Sequence, residues 1–167
     1  MRRSTETAKL LEVLCRHRVE FIVVGMTAGV LQGAPLSTFD LDIVYSRAGE
    51  NLPRLLAALR EVGAEFKHAG GRHIAPNESH LESPGHKLLE TALGELDVLG
   101  TIDMNLGYQE LLSDCVTLRL DGFEVRVLSL RRLIEVKERA GRPKDLAAVP
   151  VLRSTLERSE AKKNEKQ

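Results

Sequence analysis

The sequence predicts an α/β (α+β) domain, a small mixed β-sheet backed by helices and closed by a C-terminal helical segment. Three observations carry that expectation. "VEFIVVG" is a nearly continuous β-branched run that breaks at Gly25, as a buried strand does. "FDLDIVY" alternates strictly, with Phe39, Leu41 and Ile43 on one face and Asp40 and Asp42 on the other. Between Asn51 and Val62, Leu52, Leu55, Leu56 and Leu59 form one helical stripe.

The other elements follow in order. Residues Ser4 to His17 carry Leu10, Leu11 and Leu14 at helical spacing, with Ser4 or Thr5 as N-cap. "MTAGVLQG" is a short helix closed by Gly33, and Asn51 and Pro53 suit the start of the helix that follows the Asp-bearing strand. The polar stretch from His68 to His86, rich in Gly and Pro, reads as a strand remnant followed by a mobile loop. "KLLETALGELDVLG" reads as two strands turning near Gly94, and "VTLRLDGFEVRVLSL" as a hairpin, since Asp121-Gly122 suits a type I′ turn. Ser129 caps a helix that stops at Gly141, and a last helix starts near Pro143 with Pro150 inside it. Residues 1–152 are expected to form one domain and 153–167 a charged, frayed tail.

The 24 Lys and Arg residues equal the 24 Asp and Glu residues, so the balance excludes a protein devoted to coating duplex nucleic acid or an anionic membrane. No apolar run reaches membrane-spanning length, and a cytoplasmic location is expected. Cys15 and Cys115 match no metal-ligand spacing and read as buried free thiols. His68, His73, His80 and His86 likewise lack a compact metal spacing.

The chemistry concentrates on the carboxylates. Asp40 and Asp42 share a strand face about 7 Å apart along the backbone. Like charges that close repel and raise each other's pKa, and a divalent cation relieves both effects. Hard oxygen ligands suit Mg²⁺ or Mn²⁺. A bare D-x-D is also compatible with a solvated edge strand, so its neighbours matter. Upstream, the strand-to-helix turn at Gly25 leaves backbone N–H groups free for a phosphate. Downstream, "ELDVLG" offers Asp97 in mid-strand, with Glu95 on the same face. Three strand carboxylates and a phosphate-holding turn are the parts of a nucleotidyl-transfer site. In "EVKERAGRPKDL", spacing alone reads Lys137, Arg139, Arg142, Lys144 and Asp145 as a solvated helix junction with an Arg–Asp pair.

"VVGMTAGVLQGAPLSTFDLDIVY" resembles the signature of the DNA polymerase β-type nucleotidyltransferase superfamily, and "LLETALGELDVLG", "GYQELL" and "FEVRVLSLRRLIEVKERAGRPKDL" are similar to later blocks of its small bacterial members related to AbiEii-type toxins. The resemblance spans most of residues 19–152. It implies a nucleotidyltransferase-like fold and transfer of an NMP from an NTP to a hydroxyl acceptor (RNA, protein, or a small molecule such as an aminoglycoside). It further implies Asp40, Asp42 and Asp97 as catalytic metal ligands for Mg²⁺ or Mn²⁺, with Asp97 helping to deprotonate the acceptor. Gly25, the Met26 N–H and Thr27 would form the phosphate turn, and Lys137, Arg142 and Lys144 would steady the triphosphate. An antitoxin partner is one setting it allows. Two positions depart from the pattern: Met26 replaces the usual second Gly or Ser, and Leu36 stands where a basic residue is common. The rival reading is a catalytically inactive nucleotide-binding or protein-interaction module that keeps the fold.

Overall fold

The computed structural model of the chain describes residues 5–167. Helix α1 (Thr7–Arg16) buries the Leu10, Leu11 and Leu14 stripe but has no side-chain cap. Ser4 lies outside the described residues. Thr5 is engaged elsewhere, its hydroxyl donating to the Phe39 carbonyl at 2.5 Å and accepting from the Glu95 N–H at 3.2 Å. It ties the residue before Asp40 to Glu95 instead of opening a helix.

Strand β1 (Phe21–Val24), buried throughout, runs directly into α2 (Gly25–Leu31). Strand β2 (Asp40–Tyr45) follows, then α3 (Asn51–Glu61), which buries the predicted leucines. Asn51 is almost fully buried and works as a staple: its side chain donates to the Glu20 and Ser46 carbonyls and accepts from the Glu20 N–H.

The stretch expected as a mobile loop is tethered. After β3 (Glu65–Phe66), Asn77 and His80 cap α4 (Glu78–Glu82) reciprocally. Leu81 is fully buried, the Tyr45 hydroxyl donates to its carbonyl at 2.7 Å, and the His80 ring meets Phe66 edge-on at 4.9 Å. Lys87, in β4 (His86–Thr91), is buried as well, its ammonium bonded to the Tyr45 hydroxyl and to the Ser83 and Gly85 carbonyls. These anchors, from Asn77 to Lys87, tie down the second half of a stretch whose composition is that of a loop.

Strand β5 (Gly94–Leu99) leads to a small hairpin, β6 (Thr101–Ile102) and β7 (Leu106–Gly107), then to α5 (Tyr108–Leu111). Strands β8 (Cys115–Leu120) and β9 (Phe123–Leu128) join at Asp121 and Gly122, both at positive φ. In α6 (Leu130–Ala140), the Ser129 side chain accepts from the Arg132 N–H, and Gly141 ends the helix in the left-handed region. Residues 153–167, expected as a frayed tail, instead continue α7 (Pro143–Glu165) up to Glu165, with Leu152 and Thr155 buried. Cys15 and Cys115 are free and half-buried. Among the described residues, no helix is long and apolar enough to cross a membrane.

The main sheet has the order β3-β4-β5-β2-β1-β9-β8. It is mixed: β2 runs parallel to β5 and β1 parallel to β9, while the other pairs are antiparallel. Register is what positions the site. Asp42 pairs with Val24 of β1 on one side and with Asp97 of β5 on the other. The end of β1, the D-x-D strand and the third aspartate therefore meet at one level.

Candidate active site

Alternation along β2 sends Asp40 and Asp42 to one face, and the β2–β5 register brings Asp97 beside them. Carboxylate oxygens of the three lie within 4.8 Å of one another. Burial, followed by the charges of Asp40 and Asp97, pushes the Asp42 carboxyl up to about 7, and Lys67 opposes the rise. Burial also pushes Asp97 up, while its bond to Lys67 pulls the other way. Three half-buried or buried carboxylates gathered this closely fit a hard divalent cation, which neutralises the repulsion and takes oxygen ligands.

Lys67 is the residue that sequence reasoning missed. Its ammonium donates to Asp97 Oδ1 at 2.9 Å and to Glu95 Oε2 at 3.0 Å. Its position in a Gly- and His-rich stretch concealed it. The signal available was the short alternation Glu65–Phe66–Lys67, which places the lysine on the face opposite Phe66.

The glycine turn abuts the carboxylates. Gly25 has φ +64°, and a Cβ there would sit 2.2 Å from Asp42 Oδ2. Only glycine meets both constraints. The Thr27 hydroxyl is buried and donates to the Asp40 carbonyl at 2.9 Å, so its side chain braces β2 and only its backbone is left for a ligand. Met26 and Leu36 pack against the hydrophobic core.

A cavity of about 280 Å³ opens beside Asp42 and Gly25, walled across from them by Leu133, Val136, Lys137 and Arg142. Spacing alone reads Lys137 as part of a solvated junction, and the family resemblance has it steady a triphosphate. It lines the same cavity but is bonded to Asp145 Oδ1 at 3.0 Å, and Arg142 Nε holds Asp145 Oδ2 at 2.6 Å. Burial works to raise the Asp145 carboxyl, but these two bonds outweigh it and the net shift is downward. The physical reason for the difference is proximity: Asp145, one turn beyond Gly141, is the nearer buried carboxylate. Lys144 is exposed and does not line the cavity. Asp103, at the turn of the β6–β7 hairpin, also faces the cavity and pairs with Arg139 at 3.3 Å.

No protein-family model matches the chain, and no curated protein matches it. Solved structures do. The lincosamide antibiotic adenylyltransferase LnuA, bound to lincomycin, shares 14% identity over 91% of this chain and 98% of its own, with TM-score 0.62. The antibiotic-resistance factor ANT(2″)-Ia, in complex with adenylyl-2″-tobramycin, shares 16% over 89% and 86%, with TM-score 0.57. A Thermotoga maritima protein assigned as a nucleotidyltransferase shares 17% over 90% and 89%, with TM-score 0.54. At these identities the likeness concerns architecture, and it extends over nearly the whole of each partner. The chain has the nucleotidyltransferase fold.

Proposed function

We propose that the protein is a divalent-metal-dependent nucleotidyltransferase that moves an NMP from an NTP to a hydroxyl acceptor and releases pyrophosphate. The observation that carries this reading is the meeting of Asp40, Asp42 and Asp97 within 4.8 Å, directly against a glycine at φ +64° whose added Cβ would collide with Asp42. Asp40, Asp42 and Asp97 would hold Mg²⁺ or Mn²⁺, which supplies charge neutralisation at the α-phosphate and activation of the acceptor oxygen. The backbone at Gly25, Met26 and Thr27 is suited to receive phosphate oxygens. Lys137 and Arg142 line the cavity beside it, two basic side chains that share the single carboxylate of Asp145, so this wall offers N–H donors to a triphosphate. Lys144, exposed on the first turn of α7, is the outermost candidate for the same role.

In the reaction, the acceptor oxygen forms a bond to the α-phosphorus while the bond from that phosphorus to the bridging oxygen of the β-phosphate breaks. Asp97 takes the hydroxyl proton on its carboxylate, and pyrophosphate leaves past Lys137 and Arg142. The acceptor is an RNA end, a protein side chain or a small molecule; two of the fold neighbours are adenylyltransferases or resistance factors of the antibiotic type. The resemblance of the sequence to AbiEii-type toxins allows a toxin–antitoxin setting in the cytoplasm, with an antitoxin as partner.

The test is transfer of label from each α-³²P NTP, with Mg²⁺ or Mn²⁺, to a panel of tRNA, protein, aminoglycoside and lincosamide acceptors. Metal-dependent label transfer and pyrophosphate release, absent in Asp42→Asn, is the expected result. Wild-type protein that binds no NTP in the presence of metal would favour the inactive interaction module instead.

A further inference from the structure

We propose that Lys67 is a resident cation of the carboxylate site, one that competes with a divalent ion for Asp97 and so restrains loading of metal in the absence of nucleotide. This rests on the metal-site reading above and adds a residue to it.

The placement is specific. The Lys67 N–H donates to the Leu88 carbonyl at 2.9 Å, extending the β3–β4 pairing by one residue. That continuation sets Lys67 level with Leu88, which itself pairs with Asp97. Lys67, Leu88 and Asp97 therefore share one row and one face of the sheet, and the lysine stem spans β4 to reach β5, about two strand spacings or 10 Å away. His68, at φ +60°, then turns the chain off the sheet edge. The side chain is 9% exposed, and both of its acceptors are carboxylates.

The position of Asp97 does not depend on this contact. Its backbone is held between β2 and β4 in the middle of the sheet. Lys67 therefore contributes charge at Asp97 Oδ1 more than it contributes placement. A divalent ion held by the three aspartates would share the Asp97 carboxylate with an ammonium that already sits 2.9 Å from its Oδ1. Removing the ammonium should have two effects of opposite sign: the metal-free protein loses the compensation of its carboxylates and becomes less stable, and the metal binds more tightly. A lysine serving only as a brace would move stability alone, or weaken both.

Mn²⁺ binding without nucleotide is measured by electron paramagnetic resonance, in one buffer throughout, on wild type, Lys67→Met, Lys67→Gln and Lys67→Arg. Both neutral variants are expected to bind Mn²⁺ at least about fivefold more tightly than wild type, with a lowered metal-free melting temperature, and Lys67→Arg to stay close to wild type. Lys67→Gln keeps the comparison available if the apolar variant does not fold. Unchanged or weaker Mn²⁺ binding in the neutral variants, with wild type binding normally, overturns the role of Lys67 alone. Wild-type protein that takes up no Mn²⁺ overturns the metal site, and the inference falls with it.

Discussion

Asp42→Asn should stabilise the metal-free protein above neutral pH while destroying the metal site. The carboxyl of Asp42 is raised from its ordinary value of 3.8 to about 7, by burial and by the charges of Asp40 and Asp97. The sign follows from proton linkage. Between those two values the folded chain keeps a proton that the unfolded chain releases, so this group's contribution to stability is fully present at low pH and is lost as pH rises through 7. At about 1.4 kcal/mol per pKa unit, the whole shift corresponds to a ceiling of about 4 kcal/mol. Asparagine is neutral and nearly isosteric, but its amide must find partners in the same half-buried place, which consumes part of the gain. A net gain of about 2 kcal/mol near pH 8 would raise the melting temperature by about 4–8 °C for a chain of this size. The assay is thermal unfolding with chelator at about pH 5 and pH 8, bracketing the titration, then again with Mg²⁺. The gain should largely vanish at the lower pH, where wild-type Asp42 is itself protonated, and Mg²⁺ should raise the melting temperature of wild type only. A variant no more stable than wild type at the higher pH, or equally stabilised at both, would refute the account of buried, mutually repelling carboxylates.

Gly25→Ala should cost about 1–3 kcal/mol, from left-handed backbone strain together with displacement of Asp42 by the new methyl group. Urea unfolding would measure the cost, and Mn²⁺ uptake should fall in the same variant. Lys137→Ala leaves the buried Asp145 to Arg142 alone, so it should lower stability by about 1–3 kcal/mol as well as weaken NTP binding. Nucleotide affinity equal to wild type would limit Lys137 to bracing Asp145. Thr27→Val removes the hydroxyl that braces the Asp40 carbonyl and should cost about 1 kcal/mol. A loss of Mn²⁺ affinity in that variant would show that α2 holds the D-x-D strand in place.

Much of this site was legible in the sequence because its signals are local. Asp40 and Asp42 alternate with buried residues, and Asp97 sits between Leu96 and Val98, so each announces a carboxylate on a strand. The Asp121-Gly122 turn, the Ser129 cap and the Gly141 stop are equally local, and each occurs where its chemistry requires. What stayed hidden depends on pairing across long separations. Nothing near Asp42 states that it will face Asp97 through a parallel register. Lys67 acquires its meaning from β5, two strands from the sheet edge, and its neighbours in sequence are those of a loop. The helical course of residues 153–165 was obscured by charge: the segment is largely solvated, yet Thr155 and Leu152 fasten its first turns to the domain. Lys137 is buried along α6, where spacing alone suggested a solvated junction, and its bond to Asp145 is a matter of tertiary distance.

The most direct test of the central claim is calorimetric titration of a non-hydrolysable NTP analogue into the wild-type protein, with and without Mn²⁺, and into Asp40→Asn and Asp42→Asn. If the three aspartates form one divalent-ion site serving the cavity beside Gly25, the analogue binds wild type only when Mn²⁺ is present, and neither folded variant shows that metal-dependent binding. Analogue that binds Asp42→Asn with Mn²⁺ as tightly as it binds wild type would contradict the account.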